Sequence, residues 1–284
     1  MCDKGCPGVL PRRSGCRLSI LGAAVGICLS IAASRAPGQE EPLTPEGYER
    51  EELGVNQFTT PSIAKIFEQL DALRPLPFDQ LRRPLPGASP ASREQAGLIF
   101  GGLIADGFLL VEAQRRNLVD EFGRVLLREA RGLGVGDRVL RHSASLTELA
   151  KRGDWPAVRH ELVVTQADVE QAMIELRDQR MAHLISLGGW LRGLEITAAA
   201  VAHEFTPSRA GVLRQSQLLD YFAAEINTLP PATAQLPLFQ RIRTNIAAIR
   251  ATLTTPGGLT LDDVRAVEKK AEEVNSAIRR ANAD

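Results

Sequence analysis

From Thr60 onward, apolar residues recur three and four positions apart with few breaks, the spacing of amphipathic helices. The best strand candidate, His160 to Thr165 (HELVVT), is flanked on both sides by helical pattern and reads as helix. A first helix starts at Thr60 with Pro61 in its first turn, places Ile63, Phe67, Leu70 and Leu73 on one side, and stops before Pro75. A short helical turn over Phe78 to Arg83 and a Pro/Gly/Ser loop follow. Ser92 and Gln95 form a capping box for a long helix that the pattern carries to Arg131, where Gly132 and Gly134 stop it. Ser145 and Asp154 cap two shorter helices. Thr165 opens a second long helix to Ala202, with Leu184, Leu187, Leu191, Leu194, Ala198 and Val201 in one stripe. Thr206-Pro207 starts a helix to about Asn227. Phe239, Ile242, Ile246, Ile249 and Leu253 form a clean seam on the next, and Thr260 caps a last helix with Leu261, Val264, Val267, Ala271, Val274 and Ile278 inward.

Two of these helices differ from the rest. Ala96 to Val111 is apolar on all sides except Asp106, the mark of a helix buried in a bundle or a membrane. The run falls short of the roughly 20 residues of an easy span and carries a charge, so a central bundle helix is expected. The second long helix is interrupted by Gly188-Gly189, which costs on the order of 1 kcal/mol per glycine relative to alanine and calls for a close backbone contact or a kink. LIFGGLIADG and LISLGGWLRG echo each other, as do FTTPS and FTPS, but both echoes are too short to establish duplication. The fold expected is all-α: one irregular antiparallel helical bundle over residues 59–284, built around two long Gly-containing central helices. Gly101, Gly102, Gly188 and Gly189 are the expected close-packing positions.

The N-terminal 34 residues read as a signal peptide. Arg12, Arg13 and Arg17 form a basic start, and Leu18 to Ala33 is an apolar run ending in small residues, with cleavage expected after Ala32 or Ser34. An uncleaved anchor is the alternative. A lipoprotein site at Cys28 has bulky Ile27 before it, and Arg12-Arg13 lacks the apolar pair of a twin-arginine signal. Residues 35–58, rich in Pro, Gly and Glu without apolar period, read as a flexible acidic leader. The expected address is periplasmic or secreted, with no stable membrane span after cleavage.

Removing the signal changes both the charge and the chemistry. The chain has 34 basic and 34 acidic residues; residues 1–36 hold five and one of them, which leaves 29 and 33 and a net charge of about −4. An acidic chain with 5% aromatic residues is poorly suited to nucleic acid. All four cysteines lie at or before Cys28, so a cleaved chain has no disulfide, thiolate metal site or cysteine nucleophile.

Asp106, Glu112, Arg192 and Glu195 are the sharpest polar candidates, because they lie in or beside the most apolar helices and a buried charge must be paired. Asp106 or Glu112 is expected to pair with Arg192 where the Gly-rich segments cross. His183 and Trp190 complete the candidate ligand or buried polar cluster; Trp190 beside Gly189 is a candidate pocket wall, or simple core. His142, His160, His183 and His203 match neither the di-iron nor the HExxH pattern, so no metal is expected. Haem ligation by Met173 or Met181 with His183 or His203 is the remaining cofactor option, and methionine at helical spacing is ordinarily core, so no cofactor is expected. Ser62 and Lys65 match Ser-x-x-Lys without its partner motifs. The function expected is non-catalytic: an envelope protein that binds a partner protein or a small molecule. The alternative is an enzyme or cofactor carrier with its polar site between the two Gly-rich helices.

Overall fold

A computed structural model describes residues 63–87 and 90–280. The signal, the leader, the Thr60-Pro61 start and Ser62 lie outside them. Among the described residues the apolar periodicity becomes twelve α-helices and no strand. They are α1 (Ile63–Ala72), α2 (Phe78–Leu81), α3 (Arg93–Glu112), α4 (Val119–Gly132), α5 (Gly136–Arg152), α6 (Trp155–Glu175), α7 (Gln179–His203), α8 (Pro207–Ala210), α9 (Ser216–Asn227), α10 (Pro231–Ala234), α11 (Pro237–Leu253) and α12 (Leu261–Arg280). The chain is an all-α helical bundle, and HELVVT is inside α6.

The caps explain which boundaries the pattern finds. Ser92 accepts from Gln95 N at 3.1 Å, and Thr260 and Asp263 cap each other reciprocally at α12. At the other ends, Gly134 and Gly153 adopt φ of +86° and +74°, and the residue after each donates back five positions, Val135 to Ala130 O and Asp154 to Leu149 O. Two further helices end the same way on residues that are not glycine. Gln114 has φ +54° with Arg115 N on Leu110 O, and Arg177 has φ +52° with Asp178 N on Met173 O. A left-handed non-glycine costs on the order of 1–2 kcal/mol and carries no sequence signal. The long helix expected to reach Arg131 therefore ends at Glu112, with a 3₁₀ turn at Arg116–Leu118 before α4. The second long helix begins at Asp178 rather than Thr165, whose hydroxyl bonds back to Glu161 O inside α6. Ser145 lies within α5 and caps nothing. The helix expected from Thr206 to Asn227 is broken into α8, a 3₁₀ turn at Gly211–Leu213 and α9.

α3 and α7 lie at the centre and cross at their glycines. A Cβ on Gly101 would stand 1.8 Å from Ile185 O, and one on Gly188 2.1 Å from Leu98 O, so only glycine permits this backbone approach. Gly189 and Gly102 border the same contact, at 3.3 Å from Gly101 O and 3.8 Å from Gly188 O. Positions advance together along both helices, Gly97 at Leu184, Gly101 at Ile185 and Asp106 at Arg192, so this pair runs parallel. The hairpins around it are antiparallel, as is α12 on α7, where Asn275 meets Leu191 and Glu268 lies beside Glu195.

Two different apolar environments result. On one side of the pair, α9, α11 and α12 form a continuous core in which Phe222, Ile242, Ile249, Val264, Val267 and Val274 are all 0% exposed. On the other, α1 and α4–α6 pack through two separate clusters, one around Phe67, Phe108 and Ile196, the other around Phe100, Met173 and Ile185. α3 and α7 are long and apolar enough to cross a membrane by length and composition; 72% and 78% of their apolar windows are buried within the fold.

Candidate functional site

The structure brings Asp106, Arg192 and Glu195 together. Arg192, 1% exposed, donates from Nε to Asp106 Oδ1 at 2.7 Å, pairs through Nη1 with Glu195 Oε1 at 2.8 Å and bonds Leu81 O with Nη2. Arg83 donates to the other Asp106 oxygen at 2.7 Å, and Asn275 Nδ2 donates to Glu195 Oε2 at 2.8 Å. Two arginines face two carboxylates, and all four carboxylate oxygens are engaged. Burial alone would lower Arg192, but Asp106 and Glu195 outweigh it and hold the guanidinium above the usual arginine range. Asp106 also borders a cleft with Glu121 and Arg83, yet presents no unpaired oxygen to it. A closed, charge-balanced network of this kind ties helices in register.

Glu112 is not part of it. Six residues past Asp106, it is rotated about 240° around the helix and lies about 9 Å along it. Its carboxylate is enclosed by other cations: Arg74 Nη2 at 2.6 Å on Oε2, and Arg159 Nη2 in an ion pair with Oε1 that lacks hydrogen-bond alignment. Arg159 also grips Asp71 with both terminal nitrogens, at 2.8 and 3.0 Å. Burial raises Glu112 against the pull of these arginines, whereas the Arg159 hydrogen bonds lower Asp71. This second network, joining α6 to α1 and α3, carries no motif that spacing along the sequence reveals.

His183 lies elsewhere again. Its Nδ1 shares a hydrogen bond with the Tyr221 hydroxyl, and Nε2 stands 3.7 Å from Glu225 Oε2, at a surface hollow that Arg180 also borders. Met173 and Met181 are buried in an apolar cluster, Met181 against Gly97. Among the described residues, no group of three or more His, Cys, Asp or Glu side chains is placed to hold a metal ion.

Trp190 leads to a different site. It is 6% exposed, donates from Nε1 to Gln215 Oε1 at 3.2 Å, and lines a cavity of about 200 Å³. The cavity lies along the seam where the two smaller apolar clusters fail to merge, between α3 and α7 on one side and α4, α5 and α6 on the other. Among the described residues no charged side chain lines it; its polar members are Gln69, Thr165, Ser186, Thr197 and Gln215. Small residues on α7 leave the space: Ala182, Ser186, Gly189, Gly193 and Thr197 follow one another at helical spacing. No atom of a described residue elsewhere in the fold lies within 4 Å of where a Gly193 Cβ would be. Sequence reasoning missed this face. Its one signal was the small-residue stripe, which the larger leucine stripe on the same helix obscured.

Comparison with known protein families, with characterised proteins and with solved structures finds no match to this chain.

Proposed function

We propose that the chain is an exported, non-catalytic helical protein that holds a small uncharged, apolar molecule in the cavity between α3, α7 and α6. The supporting observation is a cavity of about 200 Å³ that has no charged lining among the described residues and that their side chains do not fill. Apolar cavities of about 150 Å³ take up benzene-sized guests, and a space of this size and lining suits such a guest. The basic start and apolar run of the first 34 residues support export. The Asp106–Arg192–Glu195 network, closed on itself, serves as the frame of the site rather than its chemistry.

The test uses Trp190 as reporter in a Trp155→Phe background, which leaves one indole, at the cavity wall. Titration with p-xylene is expected to change its fluorescence saturably. Gly193→Leu, which puts a side chain into the open space, is expected to abolish the response while helical circular dichroism is retained. A response that is absent, or equal in both proteins, overturns the reading.

A further inference from the structure

We infer, on the cavity reading above, that the guest is a compact neutral molecule carrying a single hydroxyl or carbonyl group, and that Thr197 is the residue that recognises it. Among the polar groups lining the cavity, Thr165 donates to Glu161 O at 2.7 Å, and Gln215 bonds Val212 O and Trp190. Ser186 is also engaged. Gln69 is only half-buried and within reach of solvent. Thr197 differs from all of them. It is 7% exposed, and its hydroxyl makes no hydrogen bond to any described residue. The mid-helix threonines Thr165, Thr244 and Thr252 each satisfy their hydroxyl on the carbonyl four positions back; Thr197 does not.

The Thr197 hydroxyl is not among the side-chain atoms that are both sealed from solvent and unpartnered, so it touches open space, and the residue borders the cavity. A buried hydroxyl without a partner is costly, and a guest that supplies one is selected over a hydrocarbon of the same shape. The position suits this role. Thr197 is one turn beyond Gly193 on the same helix face, about 6 Å along the axis, so a ring can rest on the bare glycine while a polar substituent reaches the hydroxyl. The described lining residues offer no counter-charge, so an ionised guest would leave its charge unpaired and is excluded on desolvation grounds. Size points the same way. About 200 Å³ exceeds the benzene-sized cavity by room for two substituents.

The experiment compares p-cresol with p-xylene, near-isosteres that differ by a hydroxyl in place of a methyl, and includes 4-methylbenzoate as the charged control. Binding to wild type, Thr197→Val and Thr197→Ser is read by calorimetry and by Trp190 fluorescence. Thr197→Val is expected to weaken p-cresol about fivefold to tenfold and to leave p-xylene within twofold, while Thr197→Ser keeps wild-type affinity for p-cresol. 4-Methylbenzoate is expected to bind to none of the three. If p-xylene binds but Thr197→Val leaves p-cresol unchanged, or if the carboxylate binds as tightly as p-cresol, recognition by Thr197 is overturned while the cavity stands. If neither neutral probe binds to wild type, the cavity reading falls with it. Thr197→Ala, which also removes the hydroxyl, is expected to weaken p-cresol relative to p-xylene in the same way and keeps the test valid if Thr197→Val does not fold.

Discussion

Arg192 and Asp106 meet at 2.7 Å one turn beyond the glycine crossing of α3 and α7, the point at which two parallel helices are both held close and fixed in register. Arg192 is 1% exposed, and its three guanidinium nitrogens face Asp106, Glu195 and Leu81 O. Removing it takes one partner from a partly buried carboxylate on each helix, leaving Asp106 with Arg83 and Glu195 with Asn275. Arg192→Met is expected to cost about 3–5 kcal/mol in urea unfolding. Asp106→Asn on its own is expected to be strongly destabilising, but to cost far less once Arg192→Met is present, so the cycle is non-additive. A charge swap is the weaker test, because an arginine at position 106 would face Arg83. Strict additivity of the two neutral substitutions would show that the contact carries no energy.

The glycines of α7 are expected to divide sharply. At Gly188 a methyl would meet Leu98 O at 2.1 Å, and its partner Gly101 would meet Ile185 O at 1.8 Å; both obstacles are backbone and cannot turn aside. Alanine at either position is expected to destabilise by about 3 kcal/mol. Gly193 has no described residue elsewhere in the fold within 4 Å of its would-be Cβ, so Gly193→Ala is expected to gain helix propensity of up to about 1 kcal/mol. Thermal unfolding of the three variants decides it. A loss at Gly193 matching that at Gly188 would contradict the asymmetry.

His142 links α5 to α6, with Nδ1 2.9 Å from Glu161 and Nε2 3.0 Å from Asp168, while Arg138 and Arg141 also reach Asp168. Burial lowers its pKa, but the hydrogen bonds to Asp168 and Glu161 outweigh burial, and the net shift is upward from 6.5. A histidine raised on folding contributes fully below its unfolded pKa, and the contribution is lost as pH rises through the folded value. Unfolding midpoints of wild type are therefore expected to fall from pH 6 to pH 8 relative to those of His142→Gln. The same difference at both pH values would refute the coupling.

If export proceeds by cleavage, the protein recovered from its own host is expected to start at Ala33 or Arg35 and to contain no titratable thiol, because all four cysteines precede that point. Intact mass and thiol titration read both quantities together. Four thiols on a full-length chain would point to the uncleaved anchor.

Much of the fold was legible along the chain, and the exceptions have physical causes. The seam of α11 from Phe239 to Leu253 and, of the inward positions expected on α12, Val264, Val267, Ala271, Val274 and Ile278 are buried, with Leu261 at the helix start half-buried, because a period of 3.6 leaves one face apolar wherever the other meets water. The glycine pairs announced a close approach. Helix ends built on Gln114 and Arg177 were not legible, since neither residue type signals a left-handed conformation. Nor was Glu112's place: nearness to Asp106 in sequence does not put two residues on one helix face.

The sequence by itself determined that the chain is helical, that α3 and α7 are the interior helices, and that a charge at Asp106 needs a partner, because each follows from periodicity, apolar content or desolvation, which are local quantities. The tertiary structure decided that the two helices run parallel, that Asp106 divides its oxygens between Arg192 and Arg83, and that Glu112 turns to Arg74 and Arg159. It also decided where the space is. A cavity is the volume that several helices together fail to fill, so no single stretch of residues contains it.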